Sequence, residues 1–255
     1  MANTCHAQLV LAIAVLTNAT GACAELKVMV SGGFASASEE IVPQFEKNTG
    51  AKVSTSRGAS QGTGPNTIGA QLRRGVSADV VIMSREGLND LIAEGRIQAG
   101  TDIDLAQTPL GVSVRAGAAR PDISTVEAFK RTLLSAKSIT FPGSTTGIWM
   151  TTKLFPQLGI AKQLEGKITN TGVAAIEKGD AEIAIQPVSE LLHVPGTDYV
   201  GTMPAEIQYI SVFSGAIVSG TREPELAKRF LAFLGSESGM NAIQRSGMDP
   251  PRPLH

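Results

Sequence analysis

Hydroxyl and glycine residues cluster in three short loops, and these loops are the part of the sequence best suited to hold an anion. They are Ser31-Gly32-Gly33, residues 58–64 (GASQGTG) and residues 143–147 (GSTTG). Glycine lets the backbone approach a ligand closely, and hydroxyls add donors to the free N–H groups of a helix N-terminus. Ordinary turn and capping chemistry accounts for any one such loop. Three of them, each between a strand and a helix, predict a shared anion-binding site.

Two arginines and one glutamine at strand ends could complete this site. Arg57 precedes the second loop, Arg85 follows an apolar strand, and Gln186 ends another. A guanidinium group matches the geometry of a carboxylate, although ligand contact and surface exposure stay open as alternatives for both arginines. The candidate ligand-binding residues are Ser31, Gly32, Gly33, Arg57, Ser60, Gln61, Ser84, Arg85, Thr145, Thr146, Gly147 and Gln186.

Composition and motif spacing argue against several other chemistries. The 22 Lys and Arg residues nearly cancel 23 Asp and Glu, and this balance excludes the basic excess of a general nucleic-acid binder. Residues 58–62 match G-x-S-x-G, but no strand–turn–helix elbow frames them, and neither a dinucleotide fingerprint nor a P-loop lysine is present. Asp102 and Asp104 are assigned to a loop as surface charge. No metal, cofactor or nucleic-acid partner is expected.

The first 24 residues are interpreted as a secretory signal peptide. Residues 9–16 (LVLAIAVL) form an apolar run, and Ala22-Cys23-Ala24 fits the small-residue cleavage pattern. A lipoprotein acylated at Cys23 and a mis-started or disordered N-terminus are the alternatives. Cleavage after Ala24 removes both cysteines, so the mature chain is expected to be a soluble, disulfide-free monomer in the periplasm.

Alternating strands and helices must position the loops. Strands are predicted at residues 26–30, 52–54, 80–83, 110–114, 138–141 and 182–186, with a strand-rich stretch at 207–219. Helices are predicted at residues 38–48, 67–74, 88–94, 124–136, 148–158, 173–178, 223–234 and 238–246. This alternation predicts an α/β fold with right-handed crossovers. We expect two lobes, the first formed by residues 25–109 and 214–255 and the second by residues 110–213.

Several segments together resemble the bacterial periplasmic solute-binding proteins of the molybdate-binding type. They are residues 26–34 (LKVMVSGGF), 45–50 (FEKNTG), 78–82 (ADVVI), 146–148 (TGI) and 177–183 (EKGDAEI). The resemblance implies two lobes with mixed sheets, helices on both sheet faces and a two-strand hinge. It also implies closure on a small ligand that is delivered to an ABC permease in the inner membrane.

The expected ligand positions depart from the molybdate pattern. Gly33 stands where those proteins offer a hydroxyl, Gln186-Pro187 stands where they carry a tyrosine, and residues 62–66 lengthen the second loop. Ser60 still matches a ligand serine. With Arg57 and Arg85 nearby, these differences favour an organic acid with several carboxylates, carried by a binding protein. Molybdate or another oxyanion remains a third alternative.

Residues 188–196 (VSELLHVPG) resemble a divergent branch of the same fold that includes periplasmic aconitate isomerase. That resemblance makes isomerisation of trans- to cis-aconitate the second hypothesis. The reaction needs only proton removal and return beside a stabilised carbanion, so it requires no metal and no thiol. Glu190, His193 or another carboxylate would act as the base, and the sequence does not choose among them.

Overall fold

The parallel strands of the first lobe end side by side, and this arrangement places the first two loops together. In the computed structural model, which describes residues 25–251, Val30 at the end of the first strand pairs with Arg57 and Ile82 on its two neighbours. The strands are β1 (Glu25–Val30), β2 (Lys52–Arg57), β3 (Val80–Ser84), β4 (Ile103–Arg115), β5 (Ile139–Thr140), β6 (Ile168–Thr169), β7 (Ile183–Pro187), β8 (Thr197–Thr202) and β9 (Ile210–Ile217). The proposed signal peptide and both cysteines lie outside the described residues.

Helices cover both faces of the sheet, which confirms the predicted α/β class. They are α1 (Ala35–Thr49), α2 (Ile68–Arg73), α3 (Arg85–Ala93), α4 (Val126–Ser135), α5 (Thr145–Trp149), α6 (Phe155–Leu158), α7 (Ala174–Lys178), α8 (Pro224–Leu234) and α9 (Glu237–Arg245). Short 3-10 turns follow β1 and β7 at Gly32–Phe34 and Val188–Glu190. None of the helices between residues 25 and 251 is long and apolar enough to cross a membrane.

The strands follow the order β2-β1-β3-β9-β4-β7-β5-β6, and β8 pairs with β4 beside this path. The β1–β2, β1–β3, β5–β6 and β5–β7 pairs are parallel, whereas β9 runs antiparallel to β3 and β4. β3 is buried along its whole length, as expected for a continuous apolar run in the middle of a covered sheet. The sheet is therefore mixed.

β4 pairs with strands of both lobes. Its first part, to Pro109, pairs with β9, and its second part, from Leu110, pairs with β7 and β8. The Gln208 side chain ties the two crossing segments together, accepting from the Leu110 N–H at 2.8 Å and donating to the Leu110 carbonyl at 3.0 Å. The pair of segments forms the two-strand hinge. The division of lobes at residues 110 and 213 stays a prediction.

Two details correct the sequence-based expectations. β4 begins at Ile103 rather than at 110, so Asp104 lies in a strand instead of a loop. The helix expected over residues 148–158 is divided by a π-helical segment, Met150–Leu154, in which the Phe155 N–H bonds to the Met150 carbonyl. Pro156 lacks the N–H that an unbroken α-helix would need at that position, and this explains the irregularity.

Each lobe has its own apolar core. In the first lobe α1, α8 and α9 pack on one face of the sheet, where Phe45 meets Phe230 edge to face with ring centroids 5.0 Å apart. α2 and α3 cover the other face. In the second lobe Phe141 and Phe155 lie in a separate buried cluster. The strand ends and the loops that follow them lie between the cores of the two lobes.

Candidate functional site

A cavity of about 420 Å³ lies between the two lobes, at the ends of the parallel strands. Its walls come from the loops after β1, β2 and β3, the loop after β5, the end of β7, and the hinge strand β9. The lining residues are Ser31, Gly32, Gly33, Arg57, Gly58, Ala59, Ser60, Asn66, Ser84, Pro142, Ser144, Thr145, Thr146, Pro187, Glu190, Ser211 and Phe213. All three hydroxyl- and glycine-rich loops predicted to share a site therefore contribute to one cavity.

Serines of the first lobe present both fixed and unpartnered hydroxyl groups. The Ser60 hydroxyl accepts a hydrogen bond from the Ser84 N–H at 2.9 Å, so it is held in place by the neighbouring strand end. The Ser31 hydroxyl is buried and has no hydrogen-bond partner among the described residues. A buried hydroxyl without a partner costs free energy, and an anion in the cavity would satisfy it.

The two lobes touch across the cavity. The hydroxyls of Ser84 and Thr145 are hydrogen-bonded at 2.8 Å, and the Ser189 hydroxyl donates to the Gly33 carbonyl at 2.8 Å. Each bond joins a first-lobe residue to a second-lobe residue. The lobes are thus in direct contact beside the cavity, and both contribute to its wall.

Gly33 is glycine because a phenylalanine ring occupies the space beside it. A Cβ built on Gly33 would lie 2.1 Å from the Phe213 ring, far inside contact distance. Phe213 belongs to the hinge strand β9 and also packs against Phe34. The position at which the resemblance to molybdate-type proteins leads us to expect a hydroxyl therefore faces an apolar wall.

Glu190 is the carboxyl group in the cavity wall. It ends the 3-10 turn that follows β7, and its Oε1 lies 3.1 Å from the position a Cβ on Gly32 would take. Burial raises the pKa of Glu190 to about 7, while a hydrogen bond from Gln186 and the positive charge of Arg57 act in the opposite direction. At neutral pH the carboxyl group can therefore both accept and return a proton.

Arg57 supplies positive charge at the cavity mouth. Its side chain is 63% exposed and forms an ion pair with Glu39, which is 69% exposed. An exposed pair of this kind is weak and easily exchanged. Arg57 can therefore turn from Glu39 towards an anionic ligand at little cost.

Arg85 does not meet the expectation of a ligand contact. Its Nε donates to Asp104 at 2.7 Å and its Nη1 to Asp102 at 2.8 Å, and it is not among the cavity-lining residues. The Ser214 hydroxyl also donates to Asp104, at 2.7 Å. Because both aspartates are committed to Arg85, the cluster joins α3 to β4 and β9, and Asp102 and Asp104 are more than surface charge.

Four other predicted residues are not part of the cavity wall. The Gln61 side-chain amide donates to Asp90 at 2.9 Å. Gly147 is buried, and a Cβ there would meet the Pro142 carbonyl at 2.4 Å, so it is a packing glycine. Gln186 reaches the site only through Glu190. His193 is exposed, has a φ of 61°, and is not among the lining residues.

Sequence reasoning missed the part of the wall that comes from distant segments. Ser211 and Phe213 lie in the hinge strand, and no local pattern marks a hinge strand as a ligand wall. Ser144 belongs to the recognised loop 143–147 and Asn66 to the stretch 62–66 that lengthens the second loop, so their inclusion could have been inferred. No group of three or more His, Cys, Asp or Glu side chains able to hold a metal ion occurs within residues 25–251.

Comparison with known proteins places this geometry in a family. Residues 26–249 match the family described as bacterial extracellular solute-binding protein. The chain belongs to that family. This solute-binding protein is also 36% identical over 229 residues to an aconitate isomerase from a Pseudomonas species, covering 88% of this chain and 87% of the relative.

Solved structures of solute-binding proteins share the fold. The periplasmic molybdate-binding protein of Azotobacter vinelandii superposes with a TM-score of 0.73 at 21% identity, covering 89% of this chain and all of that one. The sulfate-binding protein of Mycobacterium tuberculosis gives a TM-score of 0.70 at 17% identity, covering 90% and 88% of the two chains. These superpositions show that this solute-binding protein shares their fold, and the predicted resemblance is confirmed at that level.

Proposed function

We propose that this protein binds a small organic polycarboxylate between its lobes and isomerises aconitate between the trans and cis forms, with Glu190 as the base. The observation that carries the proposal is a carboxyl group with a pKa of about 7 in the wall of a hydroxyl-lined cavity. General acid–base catalysis is most effective when the catalytic pKa lies near the working pH.

The relative named aconitate isomerase supports the choice of substrate, because it matches this chain along most of both lengths. The cavity of about 420 Å³ lies in the range that encloses small organic ligands. Ser31, Ser60 and Thr146 provide neutral groups for carboxylate oxygens, and Arg57 provides a movable positive charge. The cavity therefore has enough separate hydrogen-bonding groups to contact several carboxylates of one acid. A ligand with a single charged group would not need so many.

The reaction follows from one proton transfer in each direction. Glu190 takes a proton from the methylene carbon of aconitate, and the electron pair left behind spreads over the allylic carbons and the adjoining carboxylate. Protonated Glu190 then returns the proton to the other end of the allylic system, and the double bond re-forms with the opposite geometry. Hydroxyl donors and Arg57 stabilise the negative charge that develops on the carboxylate oxygens. No atom is gained or lost.

Incubation with trans-aconitate, followed by proton NMR, tests the proposal. We expect cis-aconitate to accumulate to equilibrium, with deuterium entering the exchanged carbon in heavy water, and we expect Glu190→Gln to lose this activity. Glu206→Gln, at an exposed carboxyl group outside the cavity wall, is the control for loss of a glutamate elsewhere in the protein. Binding of trans-aconitate without formation of cis-aconitate and without deuterium exchange would exclude the isomerase function.

Transport without turnover is the second candidate function, favoured by a cavity whose wall comes from both lobes. In this alternative the protein is periplasmic, binds the same class of acid, and delivers it to an ABC permease. Calorimetric titration with citrate, cis-aconitate and trans-aconitate measures the binding step alone. A molybdate and sulfate arm tests the oxyanion alternative, and binding of those ions without binding of any carboxylate would exclude both proposals.

A further inference from the structure

Gln186 connects the catalytic carboxyl group to the backbone of the second lobe. It lies at the penultimate position of β7 and is 4% exposed. Its Nε2 donates to Glu190 Oε2, and its Oε1 accepts from the Val173 N–H. Gln186 is four residues before Glu190, with the 3-10 turn between them. The two side chains therefore form a fixed pair rather than two independent groups.

The orientation of the Gln186 amide is determined by its backbone partner. A backbone N–H can only donate, so the atom of Gln186 that faces Val173 must be the carbonyl oxygen. The NH2 group then faces Glu190 and can only donate. An ionised carboxylate accepts such a bond more strongly than a neutral carboxylic acid does.

A tight loop keeps Val173 in place. Gly172 has a φ of 70°, and a Cβ there would lie 2.8 Å from Gln186 Oε1, so a side chain would enter the space that the amide occupies. The buried Thr140 hydroxyl donates to the Gly172 carbonyl at 3.1 Å. The chain of contacts thus runs from β5 through Gly172 and Val173 to Gln186, and ends at Glu190.

The second oxygen of Glu190 has a different environment. Oε1 lies towards Gly32, and both residues line the cavity. Arg57, at the end of β2, is the charged side chain whose field reaches the carboxyl group. With Oε2 occupied by Gln186, Oε1 is the oxygen left to exchange a proton with a ligand.

We propose that Gln186 is a positioning residue, which holds one oxygen of Glu190 and thereby presents the other oxygen to the methylene carbon of the substrate. The inference deepens the proposed isomerase function and rests on it for the identity of the reaction. The contact that it assigns to Gln186 can be measured in the protein without any substrate.

The experiment measures the pKa of Glu190 in Gln186→Leu and in Gln186→Met, by two methods for each variant. One method is carboxyl carbon NMR of glutamate-labelled protein, in which the Glu190 signal is the one that Glu190→Gln removes. The other method is the pH dependence of aconitate isomerisation, which gives kcat and KM. Gln107→Leu is the matched control, because Gln107 is also a buried glutamine on a strand but does not line the cavity.

We expect loss of the Gln186 amide to raise the pKa of Glu190 by about one unit, since a donor to the ionised form is removed. At pH 7 the ionised fraction, and with it kcat, then falls about five-fold, while KM changes little. At high pH kcat stays several-fold below that of the wild type, because the carboxylate is no longer oriented. Gln107→Leu leaves the pKa and the profile unchanged.

An NMR pKa of Glu190 that stays at its wild-type value in both Gln186 variants overturns the proposal. If these variants do not fold, Gly172→Ala supplies the same test from the other end of the contact chain. It should raise the pKa in the same direction, and an unchanged pKa counts against the proposal equally. Absence of isomerisation by the wild type would refute the enzyme function, while the NMR result would still decide whether Gln186 holds Glu190.

Discussion

The Tyr209 hydroxyl donates a hydrogen bond to Glu86 and so joins the hinge side of the second lobe to helix α3 of the first. The other oxygen of Glu86 is buried and has no partner among the described residues. Trp149 lies against the Tyr209 ring with centroids 5.1 Å apart. Burial, together with this hydrogen bond and the Glu86 charge, raises the pKa of Tyr209, so the phenol stays a donor at all physiological pH values.

Removing this bond should weaken the contact between the lobes and so destabilise the fold. We expect Tyr209→Phe to lower the free energy of unfolding by about 1–3 kcal/mol, because the partly buried Glu86 carboxylate loses its donor. Thermal and urea unfolding measure the change. Tyr199→Phe is the matched control, as Tyr199 packs in the second lobe away from Glu86. An equal loss in both variants would show that the Tyr209–Glu86 hydrogen bond has no special role in stability.

The rate of isomerisation should depend on pH through Glu190. Because the base must be ionised to accept a proton, kcat/KM is expected to rise with pH and to level off above the Glu190 pKa of about 7. Initial rates between pH 5 and pH 9 give the midpoint. A rate that is constant across this range would exclude Glu190 as the base.

Stability should depend on the same group with the opposite trend. Folding raises the Glu190 pKa from 4.5 to about 7, so the folded protein prefers the protonated form and loses stability as the pH rises between these two values. Glu190→Gln has no such titration. Its stability relative to the wild type should therefore increase by about 3 kcal/mol from pH 4.5 to pH 7.5, and urea unfolding at both pH values measures it. A difference that stays constant with pH would contradict the raised pKa.

The two arginines near the strand ends should behave differently when each is replaced by alanine. Arg57→Ala is expected to weaken carboxylate binding several-fold with little change in Tm, since its pair with Glu39 is exposed. Arg85→Ala should instead lower stability, because Asp102 and Asp104 are left partly buried without their cation. Calorimetry and thermal unfolding of both variants separate the roles. Weaker binding with unchanged stability in Arg85→Ala would indicate that Arg85 contacts the ligand.

Gly33 and Phe213 should be energetically coupled. We expect Gly33→Ala to destabilise the protein by about 1–3 kcal/mol, because its methyl group overlaps the Phe213 ring. In a Phe213→Ala background the same substitution should cost much less. A double-mutant cycle measures the interaction, and additive effects would show that the ring moves aside freely.

The sequence predicted most of the fold because its main elements have local signals. Glycine loops mark the ends of β1 and β5, and Gly50 correctly ends α1. The sequence does not predict the first part of β4, Ile103 to Pro109. Asp102 and Asp104 obscure the start of the strand, because their partner Arg85 is distant in the sequence. β6 has two residues and β8 contains glycine, so neither carries a strong strand pattern.

The candidate site was predictable where a loop follows its own strand, and less so where distant segments meet. Ser31, Ser60 and Thr145 were found from local spacing. Glu190 could be nominated, but the choice between it and His193 needed the geometry, because the two residues are only three positions apart. The burial that raises the Glu190 pKa comes from the packing of both lobes and leaves no local mark in the sequence.

The sharing of β4 between the lobes has a consequence for how the chain assembles. β3 and the first part of β4 both pair with β9, and α8 and α9 complete the same core, so the first lobe needs the last segment of the chain. The second lobe draws its strands from one continuous stretch that ends before β9. When the polypeptide becomes available from its N-terminal end, the second lobe can therefore fold first. The first lobe can fold only later, because the place of β9 between β3 and β4 stays empty until the C-terminal residues are present.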